Sequence, residues 1–331
     1  MVLGPGGDGA AACRVCVELG GLAVERGWDA AGLALTVSGP VVPVARVEPA
    51  AADTTRGGWR IVKRLDRFDR ADWPVRDVGA GPGGARVVLA HTRFPTQGRT
   101  PRLVNTSPLA VGQLIGTHNG DVDVAVLRAR YALPSPVGET DTEVLFQALD
   151  GAAGVREAVL EVLRHCVGRA ALVWVDRRFP ELLWLARTAI SPLAVAFAGD
   201  GTLYWASNPG WFGAAARAAG VRFSGRDVWL VPEGTLLVAD LSCGRARLKE
   251  SHSFVATARP SDERLLDTVA HLGFSAEHRQ ADRRLARHLT RPDAPLTAAA
   301  GVGAGAGVTP ARPTGSPAAP RGPRPGTGCA R

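Results

Sequence analysis

Through residue 250 the apolar positions come in short runs broken by Gly, Pro, Asp and Asn, and the spacing within each run predicts its element. Val15, Leu19, Leu22 and Ala23 recur at helical spacing and predict a helix over 13–25. Ala31–Val37 and Val41–Val47 read as two strands joined at Ser38-Gly39-Pro40. Arg60–Trp73 is amphipathic and basic and predicts a short helix. Val87–His91 and Gln113–His118 are apolar strands, each running into polar residues. Asp141–Leu149 and Val155–Val167 predict helices, the first opening on a good cap. Val173–Asp176, Leu182–Arg187, Leu193–Phe197, Leu203–Ser207, Asp227–Val231 and Thr235–Asp240 follow as strands, some joined by tight turns such as Gly199-Asp200-Gly201. Strands outnumber helices, which favours an α+β protein of antiparallel sheets covered by helices over a doubly wound parallel sheet.

The pattern changes after residue 250. Residues 251–294 read as a charged helical extension, with one or two helices over Asp262–His288. Residues 295–331 are Ala, Gly, Pro, Thr and Arg without apolar periodicity, and such a segment cannot bury enough surface to offset its ordering entropy. It is expected to be disordered. The net charge of +8 raises a nucleic-acid partner, but the four tail arginines carry half of that excess and no basic stripe alternates with aromatics elsewhere. A tail-driven binder would lose affinity steeply with salt and on deleting 295–331. The start, MVLGPGGDG, lacks the features of a secretory signal, and no apolar run is long enough to span a membrane. A cytoplasmic protein is expected. The five cysteines are too scattered for a disulfide framework. Cys13 and Cys16 form a lone CxxC inside a predicted helix, which weighs against a zinc or redox site.

Four polar motifs stand at the ends of the apolar segments. They are RGWDAAG (Arg26–Gly32), HTRFPTQG (His91–Gly98), HNG (His118–Gly120) and ETDTEV (Glu139–Val144). Each alone has an ordinary explanation: Asn-Gly is a common turn, Thr140 with Glu143 makes a capping box, and Arg93 could be a surface arginine. In this order, however, they resemble the glutaminase domain of the class II glutamine amidotransferases. The sugar-phosphate branch of that family writes RGYDSAG, HTRWATHG, HNG and ETDTEV, and the phosphoribosyl branch carries DAAG. The resemblance continues through Ala186-Arg187, Ser191-Pro192-Leu193, Ala206-Ser207 and Pro232-Glu233-Gly234, and so covers about residues 13–245 of a 1–250 domain.

The resemblance implies the four-layer α/β/β/α sandwich of N-terminal nucleophile hydrolases, and hydrolysis of glutamine to glutamate and ammonia without metal or organic cofactor. It puts Arg93, helped by Thr96, on the substrate α-carboxylate and Asp141 on its α-ammonium. Asn119 and Gly120 would form the oxyanion hole, and Arg26 and Asp29 would brace the nucleophile's strand and loop. Phe94, Pro95 and Gln97 depart from the sugar-phosphate branch, as do Asp121 and Val122 after HNG. These departures bear on the loop expected to close over glutamine.

The family reacts through a cysteine at the first mature position, which attacks the side-chain amide to give a γ-glutamyl thioester. Here the second residue is Val2. Three explanations stay open. A short MCGIxG-like strand could precede Met1, with Val2-Leu3 as its last residues. The domain could instead bind glutamine or a partner without hydrolysis. Finally, Cys13 or Cys16 could serve after processing, although both stand close to Arg26 in an apparent helix. Residues 250–331 are too short and too poor in apolar residues for an acceptor domain, so the expected partner is a separate synthase subunit that takes the ammonia.

Overall fold

The computed structural model describes residues 1–4, 7–37, 45–48, 50–75, 85–94, 97–98, 102–242, 246–259, 261, 273–280 and 282. Its helices are α1 (Gly9–Ala23), α2 (Val124–Arg130), α3 (Asp141–Gly151), α4 (Arg156–Arg164) and α5 (Gly210–Ala219). The first strands are β1 (Ala30–Thr36), β2 (Ala45–Glu48), β3 (Ala51–Arg56), β4 (Trp59–Arg64), β5 (Val88–Arg93), β6 (Leu109–Val111) and β7 (Leu114–Val122). The remainder are β8 (Gly168–Asp176), β9 (Leu182–Arg187), β10 (Ala194–Ala198), β11 (Leu203–Ala206), β12 (Phe223–Leu230), β13 (Thr235–Asp240) and β14 (Arg247–Ser253). Chain contacts group Met1–Thr290 as one compact unit and Arg291–Arg331 as a second.

The helix expected over Arg60–Trp73 is not formed. Trp59–Arg64 is a strand, followed by one 3-10 turn at Phe68–Arg70. Gly57 and Gly58 both take positive φ (53° and 78°), which is the pairing a tight hairpin turn needs, and they fold β3 onto β4. The expected strand at Val41–Val47 overlaps β2 only from Ala45, because residues 41–44 lie outside the described residues, as does most of 262–288 and all of 295–331. β3, β6, β14, α2 and α5 were not expected from the apolar pattern.

Two sheets stack through a shared core. One runs β2-β3-β4-β1-β5, and a second group runs β11-β10-β12. Residues 1–3 join these two. Val2 pairs antiparallel with both Val87 and Leu203, and Val88 and Met1 exchange backbone hydrogen bonds. The other sheet runs β14-β13-β9-β8-β7-β6. Alternation along the buried strands separates the layers. In β8, Ala171, Val173 and Val175 face the inter-sheet core, whereas Ala170, Leu172 and Trp174 face α2–α4. In β1, Ala34 faces the inter-sheet core while Ala31, Leu33 and Leu35 pack under α1 and α5. The result is the four-layer α/β/β/α sandwich.

One buried ionic knot closes the unit. Arg187, fully buried at the end of β9, donates to both carboxylate oxygens of Asp282 (2.7 and 2.9 Å) and to the carbonyls of Val231, Ser191 and Ile190. Glu233 accepts from the Ile190 amide at 2.9 Å, where Ile190 is held at φ 64°. This fixes the turn that leads to Pro192 and Leu193, both in the wall of the cavity described below. Arg187→Ala would leave the Asp282 carboxylate buried without its guanidinium. We expect a loss of about 3–5 kcal/mol in urea denaturation; a loss within experimental error would show that this knot does not hold the unit together.

Candidate active site

Residues 1–3 lie between β5 and β11 with Met1 opposite Val88, and beyond that level β5 runs on to Arg93 and β11 to Ala206. A cavity of ≈ 510 Å³ lies between these continuing strands, within the size range of small-molecule sites. Its wall includes Ala90, His91 and Arg93 from β5, and Tyr204, Ala206 and Ser207 from and after β11. The ends of β7 and α3 complete it with His118, Asn119, Gly120, Asp141 and Thr142. The four motifs therefore converge on one space, although they come from opposite sheets.

Arg93 is the last residue of β5 and is only 5% exposed. The RGWD turn packs directly against its backbone. A Cβ on Gly27 would come within 2.5 Å of the Arg93 carbonyl carbon, and the Asp29 amide donates to the Arg93 carbonyl at 3.2 Å. Arg26, at the end of a 3-10 turn, lines the cavity. Burial lowers the Arg93 pKa, opposed by the negative charges of Asp29, Asp141 and Glu139. One guanidinium nitrogen donates to the Gln97 carbonyl at 3.1 Å. The other, Nη1, is buried without a hydrogen-bond partner among the described residues. Thr96, expected to assist it, lies outside the described residues.

Asp141 opens α3 and is 4% exposed. Its Oδ2 accepts from the Val122 amide and its Oδ1 from the Thr142 amide, both at 2.9 Å. Each carboxylate oxygen keeps a further lone pair, and the helix N-terminus favours negative charge there. The capping box is only half formed. Thr140 accepts from the Glu143 amide (3.4 Å), but the Glu143 carboxylate turns back to the amides of Val137 and Gly138, each at 2.7 Å.

Between these charged groups, the Asn119 amide donates to Ser207 Oγ at 3.3 Å, using one of its two N–H bonds. Gly120 must be glycine because a Cβ there would sit 2.0 Å from the Arg169 carbonyl oxygen. Beneath them lie two histidines that sequence reasoning did not single out. His118 Nδ1 is 3.0 Å from Thr142 Oγ1 and 3.8 Å from Asp141 Oδ2. Burial, with the nearby His118 and Arg93, pushes the His91 imidazole down to about 4. Ser207 and Arg169 also reach the cavity. Of these, the histidines open the HTR and HNG motifs and were visible in the sequence; Arg169 sits in a plain apolar strand and gave no signal.

The cysteine alternatives meet opposing chemistry. Cys13 donates to the Val75 carbonyl. Cys16 reaches the cavity wall, but burial raises its thiol pKa, the reverse of what a reactive thiolate needs. Among the described residues no group of three or more His, Cys, Asp or Glu side chains could hold a metal, and no helix is long and apolar enough to cross a membrane.

Comparison with known proteins gives a consistent likeness. The chain is 33% identical over 159 residues to the glutamine–fructose-6-phosphate aminotransferase of Zymomonas mobilis, covering 44% of this chain and 25% of that protein. It is 31% identical over 193 residues to the same enzyme of Escherichia coli K12, covering 55% and 27%. Its fold matches the glutamine phosphoribosylpyrophosphate amidotransferase of B. subtilis, solved with ADP and GMP, at a TM-score of 0.50 and 16% identity over 76% of this chain and 48% of that one. No protein-family profile matches the chain. It thus has a class II glutamine amidotransferase-like fold and spans about a quarter of the length of the curated relatives it matches.

The half-buried imidazole of His91 sets a pH dependence. Unfolded, His91 takes up a proton below its ordinary value of 6.5; folded, it stays neutral to about 4. The unfolded chain therefore binds more protons between these values, and stability falls as pH drops through that window. At pH 5 the contribution amounts to about 2 kcal/mol. His91→Asn should flatten the acid side of a stability–pH curve by that amount; parallel curves for the two proteins would refute the assignment.

Proposed function

We propose that this chain binds L-glutamine in the Arg93–Asp141 cavity and releases its side-chain nitrogen as ammonia. The observation that carries the reading is the placement of a buried guanidinium with an open N–H, a buried carboxylate and an amide donor in the wall of one cavity. A free amino acid is a zwitterion, so its recognition needs one anchor of each sign. In this reading Arg93 Nη1 and Thr96 take the α-carboxylate, and Asp141 takes the α-ammonium. Asn119 and Gly120 stabilise the oxyanion, and such donors contribute on the order of 3–4 kcal/mol each. Arg26 and Asp29 brace the strand and loop beside the nucleophile, Asp29 through its amide on the Arg93 carbonyl.

The nucleophile in this reading is a cysteine carried ahead of Met1 on the same ladder. Met1 lies opposite Val88 and Leu3 opposite Arg86. Continuing that register backward by three positions reaches the level of His91, the first residue of the HTR motif. The ammonia would pass to a separate acceptor enzyme. A glutamine-binding subunit without turnover is the second reading, favoured by the raised pKa of Cys16, the one thiol in the cavity wall among the described residues.

N-terminal sequencing and intact mass of the protein from its own host, with glutamate release assayed on the same sample, decide between the two. A leading cysteine with glutamate release supports hydrolysis. A chain starting at Met1 or Val2 that binds glutamine without releasing glutamate supports the binding subunit, and absence of glutamine binding overturns both. In a hydrolysing form, Arg93→Ala and Asp141→Ala should raise KM at least tenfold, roughly the 1.4 kcal/mol of one charge-assisted contact. Asn119→Ala should instead lower kcat by about 100-fold with little change in KM. Equal effects of all three on KM alone would remove the oxyanion role from Asn119.

A further inference from the structure

After β14 the chain does not leave the domain. Phe254 donates to the Gly234 carbonyl, and Thr257 accepts from the Gly168 amide at 2.9 Å, so the segment runs back beside the start of β8. Ala256 and Ala258 pack on Ala189 and Ile190. This path brings Arg259 to Asp121, the residue immediately after the HNG motif. Arg259 Nη2 donates to Asp121 Oδ2 at 2.6 Å and to the Asp121 carbonyl at 3.2 Å. The second carboxylate oxygen, Oδ1, accepts from Gln97 Nε2, which also donates to the Val122 carbonyl at 3.1 Å.

Asp121 therefore holds together three parts of the cavity wall. Its neighbour Gly120 belongs to the HNG motif within β7. Its other neighbour, Val122, donates its amide to Asp141. Gln97, held by the Asp121 carboxylate, presents its own carbonyl to Arg93 at 3.1 Å. Burial works to raise the Asp121 pKa, yet the bonds from Arg259 and Gln97 hold it below the ordinary carboxylate value. Asp121 and Gln97 are also two of the positions at which this sequence departs from the pattern it resembles, and the structure joins them to each other and to Arg259.

We propose that Arg259 is a positioning residue for the amino-acid pocket, acting through Asp121 and Gln97 to fix the groups that receive the substrate's α-carboxylate and α-ammonium. This rests on the glutamine reading above. Arg93 Nη1 can aim its N–H bonds at a carboxylate only if the guanidinium plane is fixed, and the Gln97 carbonyl fixes it. In the same way the Val122 amide orients the Asp141 carboxylate. The segment after β14 thus serves the pocket as well as the core.

The test is calorimetric titration of the unaltered chain, Arg259→Gln, Asp121→Asn and the double variant with L-glutamine, each with a thermal unfolding curve. Each single change should weaken binding by about tenfold, and the double variant should be no weaker than either, as expected for residues acting in one path. Where the protein turns glutamine over, the loss should appear in KM and leave kcat unchanged. Arg259→Lys, which keeps the charge but not the fork, should recover part of the affinity. Unaltered binding in Arg259→Gln, or losses that multiply in the double variant, would overturn the proposal while leaving the glutamine reading intact. A binding loss that merely follows lost thermal stability would also overturn it. Absence of glutamine binding by the unaltered chain would overturn both.

Discussion

Burial of the Arg93 guanidinium is the constraint around which the rest of the site is arranged. A cation out of water needs hydrogen bonds and negative charge close by. β1 and β5 bring Asp29 to its backbone, α3 brings Asp141 into its field, and the Gln97 carbonyl takes one of its nitrogens. Gly27 permits this approach because any side chain there would strike the Arg93 carbonyl carbon. What remains is Nη1, buried without a hydrogen-bond partner among the described residues, in the wall of a cavity that also holds a carboxylate. In the proposed reading, that residual demand is met by a carboxylate of the ligand.

The sheets supply the precision. The strands that carry the site are covered on both faces, so a slip of one residue would move Leu172 and Trp174 out of one core and Val173 into the other. This pins Asn119 and Gly120 relative to β8, where they lie opposite Ala171 and Ala170. The Arg187 knot does the same for the turn bearing Pro192 and Leu193, which accounts for Arg187, Ser191 and Glu233 among the motif residues away from the cavity.

Much of the fold was legible because short continuous apolar runs bounded by polar residues mark strands such as Leu182–Arg187 and Thr235–Asp240, whose predicted bounds agree with the observed ones. Trp59–Arg64 was misread as helical because Arg60, Lys63 and Arg64 fall at spacings that also suit a helix face; the preceding Gly57-Gly58 was the stronger signal. α5 was missed since its Ala- and Gly-rich sequence has little apolar contrast. At the site, Arg93, Asn119, Gly120 and Asp141 could be read from motifs because their chemistry is written in local order. The contacts of Asp121 with Arg259, 138 positions apart, and of Arg187 with Asp282, 95 apart, depend on chain return and have no local signature.

The most direct test of the account is a crystal structure of the protein grown with L-glutamate, the product of the proposed hydrolysis. The α-carboxylate is predicted within hydrogen-bond distance of Arg93 Nη1, with the α-ammonium on Asp141 and the side chain directed toward Asn119. Glutamate bound elsewhere, or in this cavity with its α-carboxylate away from Arg93, would contradict the amino-acid site described for this fold.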